Sequence, residues 1–235
     1  MKELFIANKN YSSWSLRPWL LMRMLDIPFN EHLEPFGSGS NWSTFRRFSP
    51  TGKVPCLVDN GVVVWDSMGI TEYLAEHDPG VWPRSAQARA WARCAAAEMH
   101  SGFFALRNQC PMNCGLQVEM NGIDAELRQD IERLNELWSE GLARFGGPWL
   151  AGEAFSAVDA FFAPVAFRVS NYGLKLAPAA DGYVRQLLAL KPMQDWLDAA
   201  LREPWREPGH EAEAHQAGKI LADRRLPVGS SAGMA

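Results

Sequence analysis

A small α/β unit of βαβ–ββα order joined to an all-α helical bundle is the fold class this 235-residue sequence predicts, on three observations. Short apolar runs suited to strands alternate with helix-period stripes over residues 1–78. Asp78-Pro79-Gly80 and Trp82-Pro83 then mark a break. Beyond it, residues 85–202 carry helical periodicity and almost no strand signal. The expected organisation is an α/β unit over 1–78, a linker over 79–84 and a helical unit over 85–202, followed by a tail, 203–235. That tail is rich in Pro, Gly, Ala and charge, and is expected to be partly disordered.

Leu4–Ala7 is a short apolar run suited to a buried strand. Ser15 is placed to cap a helix running to Leu25, with Pro18 in its first turn, where a missing N–H costs little. Leu16, Leu20 and Met24, with Leu21 and Leu25, give that helix a stripe packed on one side. Phe29–Leu33 reads as a second strand, parallel to the first because a helix joins them. Pro55–Val58 and Val62–Trp65 flank Asp59-Asn60-Gly61, a hairpin signal, and Ser67 is placed to cap a helix to Glu76. In the second half the expected helices span 85–108, 123–145, 156–170, 181–190 and 192–202. Ser156 and Asp159 have the spacing of a reciprocal helix cap.

Composition narrows the function classes. A net charge of −4 and a single basic doublet, Arg46-Arg47, argue against a nucleic-acid surface, which needs a clustered basic face. No apolar run reaches the roughly 18–20 residues of a membrane span. The run after Met1-Lys2-Glu3 is too short for the apolar core of a secretory signal. A cytoplasmic protein with reduced thiols at Cys56, Cys94, Cys110 and Cys114 is therefore expected. Cys110 and Cys114 lack a second Cys/His pair at zinc spacing, so no metal site is expected.

Three short motifs follow one another. Tyr11-Ser12-Ser13-Trp14-Ser15-Leu16-Arg17 lies between the first strand and helix; Gly52-Lys53-Val54-Pro55 precedes the hairpin; Asp66-Ser67-Met68-Gly69-Ile70 opens the third helix. Taken alone, each reads as loop and cap chemistry. Together with the βαβ–ββα and helical outline, they resemble the glutathione S-transferase superfamily in its serine-type, zeta- or tau-like branch, as a bacterial-type member. The resemblance covers about residues 3–202.

The resemblance implies a thioredoxin-like N-terminal domain and a helical C-terminal domain in a cytoplasmic homodimer active in detoxification. Glutathione is the implied cosubstrate, with no metal. Ser12, five residues before Arg17, is the implied sulfur contact, and Ser13, four before it, is the rival. A hydroxyl donating to sulfur favours the thiolate, which is the nucleophile, and the helix N-terminus adds partial positive charge. Arg17 supports the first helix. Val54-Pro55, with a cis bond, presents its backbone to the cysteinyl part of glutathione, and Lys53 approaches the glycyl carboxylate. Asp66 and Ser67 hold the γ-glutamyl end at a helix N-terminus.

The expected reaction is attack of the glutathione thiolate on a small apolar electrophile, by conjugation or isomerisation. A non-catalytic glutathione-binding or interaction module and a glutathione-dependent peroxidase are the alternatives. Met99, Phe103, Phe104 and Arg107, at helical spacing, are the candidate electrophile wall. His100 stands equally as an ordinary histidine and a proton shuttle. Asn171 stands where zeta members carry an arginine, which argues against a maleylacetoacetate isomerase.

Overall fold

A computed structural model describes residues 1–227 of the chain. Its N-terminal part is a four-stranded sheet in the order β2-β1-β3-β4, built from β1 (Lys2–Ile6), β2 (Phe29–Leu33), β3 (Cys56–Asp59) and β4 (Val62–Trp65). β1 runs parallel to β2, pairing Lys2 with Phe29 and Ile6 with Leu33, because a helix connects them. β1 and β3 are antiparallel, with Leu4 opposite Leu57. The β3–β4 hairpin closes on Asn60 and Gly61, both with positive φ (49° and 85°), the conformation that makes Asn-Gly a tight turn.

The first helix, α1 (Ser13–Met24), starts three residues earlier than expected, with Ser12 rather than Ser15 at the N-cap. Ser15 lies inside it, fully buried, and its Oγ accepts the Ala7 N–H at 3.3 Å. Pro18 thus falls in the second turn, where its ring removes the bond to the Trp14 carbonyl. Residues 15–22 are buried all round rather than along one stripe, because β1, α3 (Ser67–Ala75) and α7 (Ala157–Tyr172) all pack against α1. After the short α2 (Trp42–Phe45), α3 (Ser67–Ala75) is capped by Asp66, whose Oδ1 accepts the Met68 N–H at 2.7 Å. Ser67, expected as the cap, is the first helical residue.

The expected helix over 85–108 is two helices, α4 (Ala86–Ser101) and α5 (Phe104–Gln109). Gly102 leaves helical geometry and Phe103 takes a left-handed φ of 55°, which turns the chain. Small buried residues, Ala88, Ala92, Ala95 and Ala96, let α4 approach α7 closely. A strand unseen in the sequence, β5 (Leu116–Met120), comes next, then α6 (Ala125–Phe145), α7 (Ala157–Tyr172), α8 (Pro178–Ala189) and α9 (Lys191–Arg202). In α7 the Asp159 carboxylate reaches back to the Ser156 N–H at 2.9 Å, as the cap spacing implies.

Residues 203–227, the part of the tail that is described, are structured; residues 228–235 lie outside the described part. Pro208 starts α10 (Pro208–Ala217), and β6 (Gly218–Asp223) pairs antiparallel with β5. The reason is ionic as well as apolar. Arg225, 9% exposed, bonds Glu211 and Asp223, at 2.9 Å and 2.7 Å through Nη2. Arg225→Met leaves both carboxylates without their cation and is expected to cost about 2 kcal/mol, read as a lower denaturant midpoint with unchanged slope. No helix among the described residues is long and apolar enough to cross a membrane.

Candidate active site

A cavity of about 640 Å³ opens where the loop after β1 meets the helical half of the chain. Ser12, Ser13 and Trp14 form one wall and Lys53 and Val54 a second. Met99, Phe104 and Arg107 lie across from them, with Pro164 and Arg168 of α7. An adjoining cavity shares Trp14, Lys53 and Val54, and adds Pro55 and Asp66. The two make a cleft running from the N-terminus of α3 to the N-terminus of α1. Val54-Pro55 is a cis peptide.

The two serines differ in setting. Ser12 is 5% exposed and its hydroxyl donates to Ser15 Oγ at 2.7 Å, which ties the loop to α1. Ser13 is half-buried at the first helical position, and its Oγ accepts from Arg168 Nη2 at 3.4 Å. Both sit in the positive field at the N-terminus of α1.

Other candidates are distributed unevenly. Asp66 holds a φ of 71°, an unusual conformation for a side-chain-bearing residue, and its Oδ2 lies 3.6 Å from His100 Nε2. Ser67 is fully buried and lines neither cavity; its Oγ lies 3.5 Å from Arg17 Nη1. Phe103, expected on the electrophile wall, is instead core, 5% exposed and edge-on to Phe162. The helix break at Gly102 rotates it away from Met99, Phe104 and Arg107. Burial lowers the pKa of His100, so its imidazole is neutral at neutral pH. Asn171 donates to the Asn113 carbonyl at 2.6 Å and is buried there.

Tyr11 does not offer its hydroxyl to the cleft. It donates to Glu211 Oε1 at 2.7 Å, and its ring stacks on His210, so the tail occupies it. Burial pushes the thiols of Cys56 and Cys110 up to about 11 and about 12, and Cys114 higher still. These three are protonated at neutral pH and do not act as nucleophiles.

Sequence reasoning missed Arg168, His210 and Glu213, all of which line the main cavity. Arg168 carried a readable signal: residues 160–167 of α7 are all apolar, and this one cation follows them directly, one turn before Asn171. His210 and Glu213 had none, because the tail that carries them composes like a disordered segment.

A family profile for the glutathione S-transferase N-terminal domain matches residues 11–77, and one for the glutathione S-transferase C-terminal domain matches 119–208. The chain belongs to the glutathione S-transferase superfamily. It is 25% identical over 218 residues to a maleylacetoacetate isomerase of Rattus norvegicus, covering 89% of this chain and 95% of that one. It is 25% identical over 190 residues to glutathione S-transferase 1 of Dianthus caryophyllus, covering 74% and 80%. Among solved structures, a Burkholderia glutathione transferase homolog with bound glutathione superimposes with a TM-score of 0.62 at 20% identity, covering 85% of this chain and 97% of that one. A tau-class glutathione S-transferase from mango gives 0.66 at 18%, covering 91% and 96%. The fold is thus a thioredoxin-like unit followed by a helical one.

Proposed function

We propose that the chain binds glutathione along this cleft and activates its thiol for attack on a small electrophile, by conjugation or reversible isomerisation. The observation that carries the reading is the meeting, in one cleft, of the serine-bearing N-terminus of α1, the cis Val54-Pro55 backbone and Asp66. The bound glutathione of the Burkholderia homolog supports it. On this reading Asp66 faces the γ-glutamyl ammonium, the α3 N-terminus faces its carboxylate, and Val54 offers its backbone to the cysteinyl unit. Lys53, exposed on the rim, reaches the glycyl carboxylate.

A free thiol of pKa near about 8.5 is mostly protonated at neutral pH. A hydroxyl donor and a helix N-terminus favour the anion, so the proton leaves to water. Sulfur then bonds to carbon, and the displaced electron pair goes to a leaving group or into a conjugated carbonyl that takes a proton from water. Two observations favour Ser13 over Ser12 as the sulfur donor: its partial exposure on the wall, and the existing bond from Ser12 to Ser15. Ser12 then serves to hold the loop.

Ser13→Ala is expected to lower kcat/KM by about 10²-fold, the size of losing one preorganised donor, with glutathione affinity within a few-fold of the parent. The absorbance titration of the bound thiolate is expected to move to higher pH. The reverse pattern, with Ser12→Ala the inactive variant, would return the role to Ser12. Saturable glutathione binding without turnover of any electrophile would make the chain a binding module. Absence of glutathione binding would end the reading altogether.

A further inference from the structure

The tail brings a histidine to the main cavity. His210, in the first turn of α10, lines it together with Tyr11, Ser12, Ser13 and Phe36. Residue 210 lies beyond the 119–208 that match the C-terminal family domain. Its Nδ1 meets Glu207 Oε2 at 2.6 Å, and Glu207 is the N-cap of the same helix. The Glu207 oxygens also accept the Gly209 and His210 N–H groups, at 3.0 Å and 2.8 Å. Against the opposing effect of burial, those amides and the imidazole hold the Glu207 carboxyl below its ordinary 4.5, so it is an anion at neutral pH. The imidazole is clamped between the rings of Tyr11 and Phe36, with centroids at 4.9 Å and 5.0 Å and interplanar angles of 21° and 26°.

A carboxylate at Nδ1 selects the tautomer with its proton on that nitrogen and leaves Nε2 as the basic one. Nε2 makes no hydrogen bond among the described residues. With one edge on Glu207 and both faces on aromatic rings, the edge bearing Nε2 is the part left to line the cavity. An imidazolium formed here has its counter-charge in place. The other charged groups around it are engaged elsewhere or stand off. Glu211 accepts from Tyr11, Asn113 and Arg225, and Arg225 is shared between Glu211 and Asp223. Glu213 and Lys53 lie on the cavity wall. Capping α10 needs only the Glu207 oxygens, and the three-ring stack needs only a flat side chain. Neither accounts for a basic nitrogen held at the cavity.

Resting on the transferase reading above, we infer that His210 is the proton carrier of the reaction and Glu207 its positioning residue. The thiol proton of bound glutathione passes to Nε2, one intervening water being within the reach of such a base. The imidazolium stays paired with Glu207. When the thiolate adds to the β-carbon of a conjugated carbonyl, the carbon–sulfur bond forms and the π pair moves onto the carbonyl oxygen as an enolate. Nε2 then gives its proton to the α-carbon, the carbonyl re-forms and the imidazole is neutral again. In a substitution the leaving group departs with the electron pair as an anion, and the proton on His210 passes to solvent. His210 thus replaces bulk water as the first acceptor and the last donor of the proton.

The test runs two reactions of glutathione on the full chain. Addition to trans-4-phenyl-3-buten-2-one needs a returned proton, and substitution on 1-chloro-2,4-dinitrobenzene does not. His210→Ala is expected to lower kcat for the addition by about 10²-fold, the size of one general acid–base group, with a clearly smaller loss in the substitution. Glutathione is expected to bind the variant within about threefold of the parent. Free imidazole is expected to restore the addition in His210→Ala. His210→Gln, which fills the same slot but carries no basic nitrogen, is expected to be as poor as the alanine variant. Glu207→Gln still caps α10, and is expected to lower kcat for the addition about tenfold with the glutathione KM unchanged and no gain from imidazole. Full activity of His210→Gln would make the ring a packing piece and overturn the inference. Equal losses in the two reactions would overturn it too, as would a loss of glutathione affinity that imidazole does not repair, which would assign His210 to holding the tripeptide. If the dinitrobenzene is turned over and the enone is not, or if His210→Ala matches the parent in both reactions, the inference falls and the transferase reading stands. If glutathione does not bind the parent, that reading falls and takes the inference with it.

Discussion

Asp159→Ala is expected to lower the unfolding free energy by about 4 kcal/mol, a large share of the roughly 5–15 kcal/mol that hold a domain folded. The carboxylate is fully buried and accepts from the Ser156 N–H at 2.9 Å, the Leu150 N–H at 3.1 Å and the Tyr183 hydroxyl at 2.8 Å. Removing it strands these three donors away from water, at roughly 1–3 kcal/mol each before relaxation, and takes the acceptor 3.4 Å from the Ser156 hydroxyl as well. Asp159→Asn keeps the shape but turns one acceptor into a donor that faces these groups, so it is expected to recover only part of the loss. Urea unfolding of the three proteins, followed by tryptophan fluorescence, measures the series. A loss below about 1 kcal/mol for the alanine variant would show that water replaces the carboxylate.

Glu203 sets the second large effect, and it depends on pH. Burial raises its pKa from the ordinary 4.5 to about 7, against the opposing pull of the Lys9 and Asn10 amides. Those amides meet its carboxylate oxygens at 2.6 Å and 3.2 Å. A carboxyl group whose folded pKa lies above its unfolded value binds its proton more tightly when folded. The stability this contributes is therefore full below pH 4.5 and is lost as pH rises through about 7. Measured against Glu203→Gln, which mimics the protonated acid, the parent is expected to lose up to about 3 kcal/mol between pH 4.5 and the alkaline side of pH 7. A constant difference between the two proteins across that range would place the titration elsewhere.

The sheet was legible because its cues are local. Asn60-Gly61 between two apolar runs, and the apolar run Leu4–Ala7 at β1, depend on neighbours in sequence. The start of α1 was misplaced because Ser12, Ser13 and Ser15 are chemically alike. Which of them caps the helix is decided by the Ala7 N–H, which the folded backbone brings to Ser15. Phe103 was assigned to the cleft on helical spacing that Gly102 interrupts. β5 is as long as β1, but it pairs with β6 about a hundred residues away, a partner no local pattern announces.

The site followed the same rule. Lys53, Val54, Pro55 and Asp66 were readable as short motifs, and Ser12 and Ser13 as a pair. Arg168 and the tail required the tertiary fold. A single arginine in an apolar helix shows that something compensates it, and only the cavity shows that its neighbours are two more arginines and a serine.

The bracing of the β1–α1 loop also orders events during synthesis. Lys9, Asn10 and Tyr11 are made early, yet they are held by Glu203 and Glu211 across 194, 193 and 200 residues of chain, and Tyr11 by Arg225 across 214. The sheet and α1 can form as soon as they emerge, whereas the loop that carries the serines has its full set of contacts only when the last described strand has been translated. A nascent chain therefore forms its sheet before this loop is braced, and the cavity wall at Tyr11 gains its last ionic contact only once Arg225 has been added.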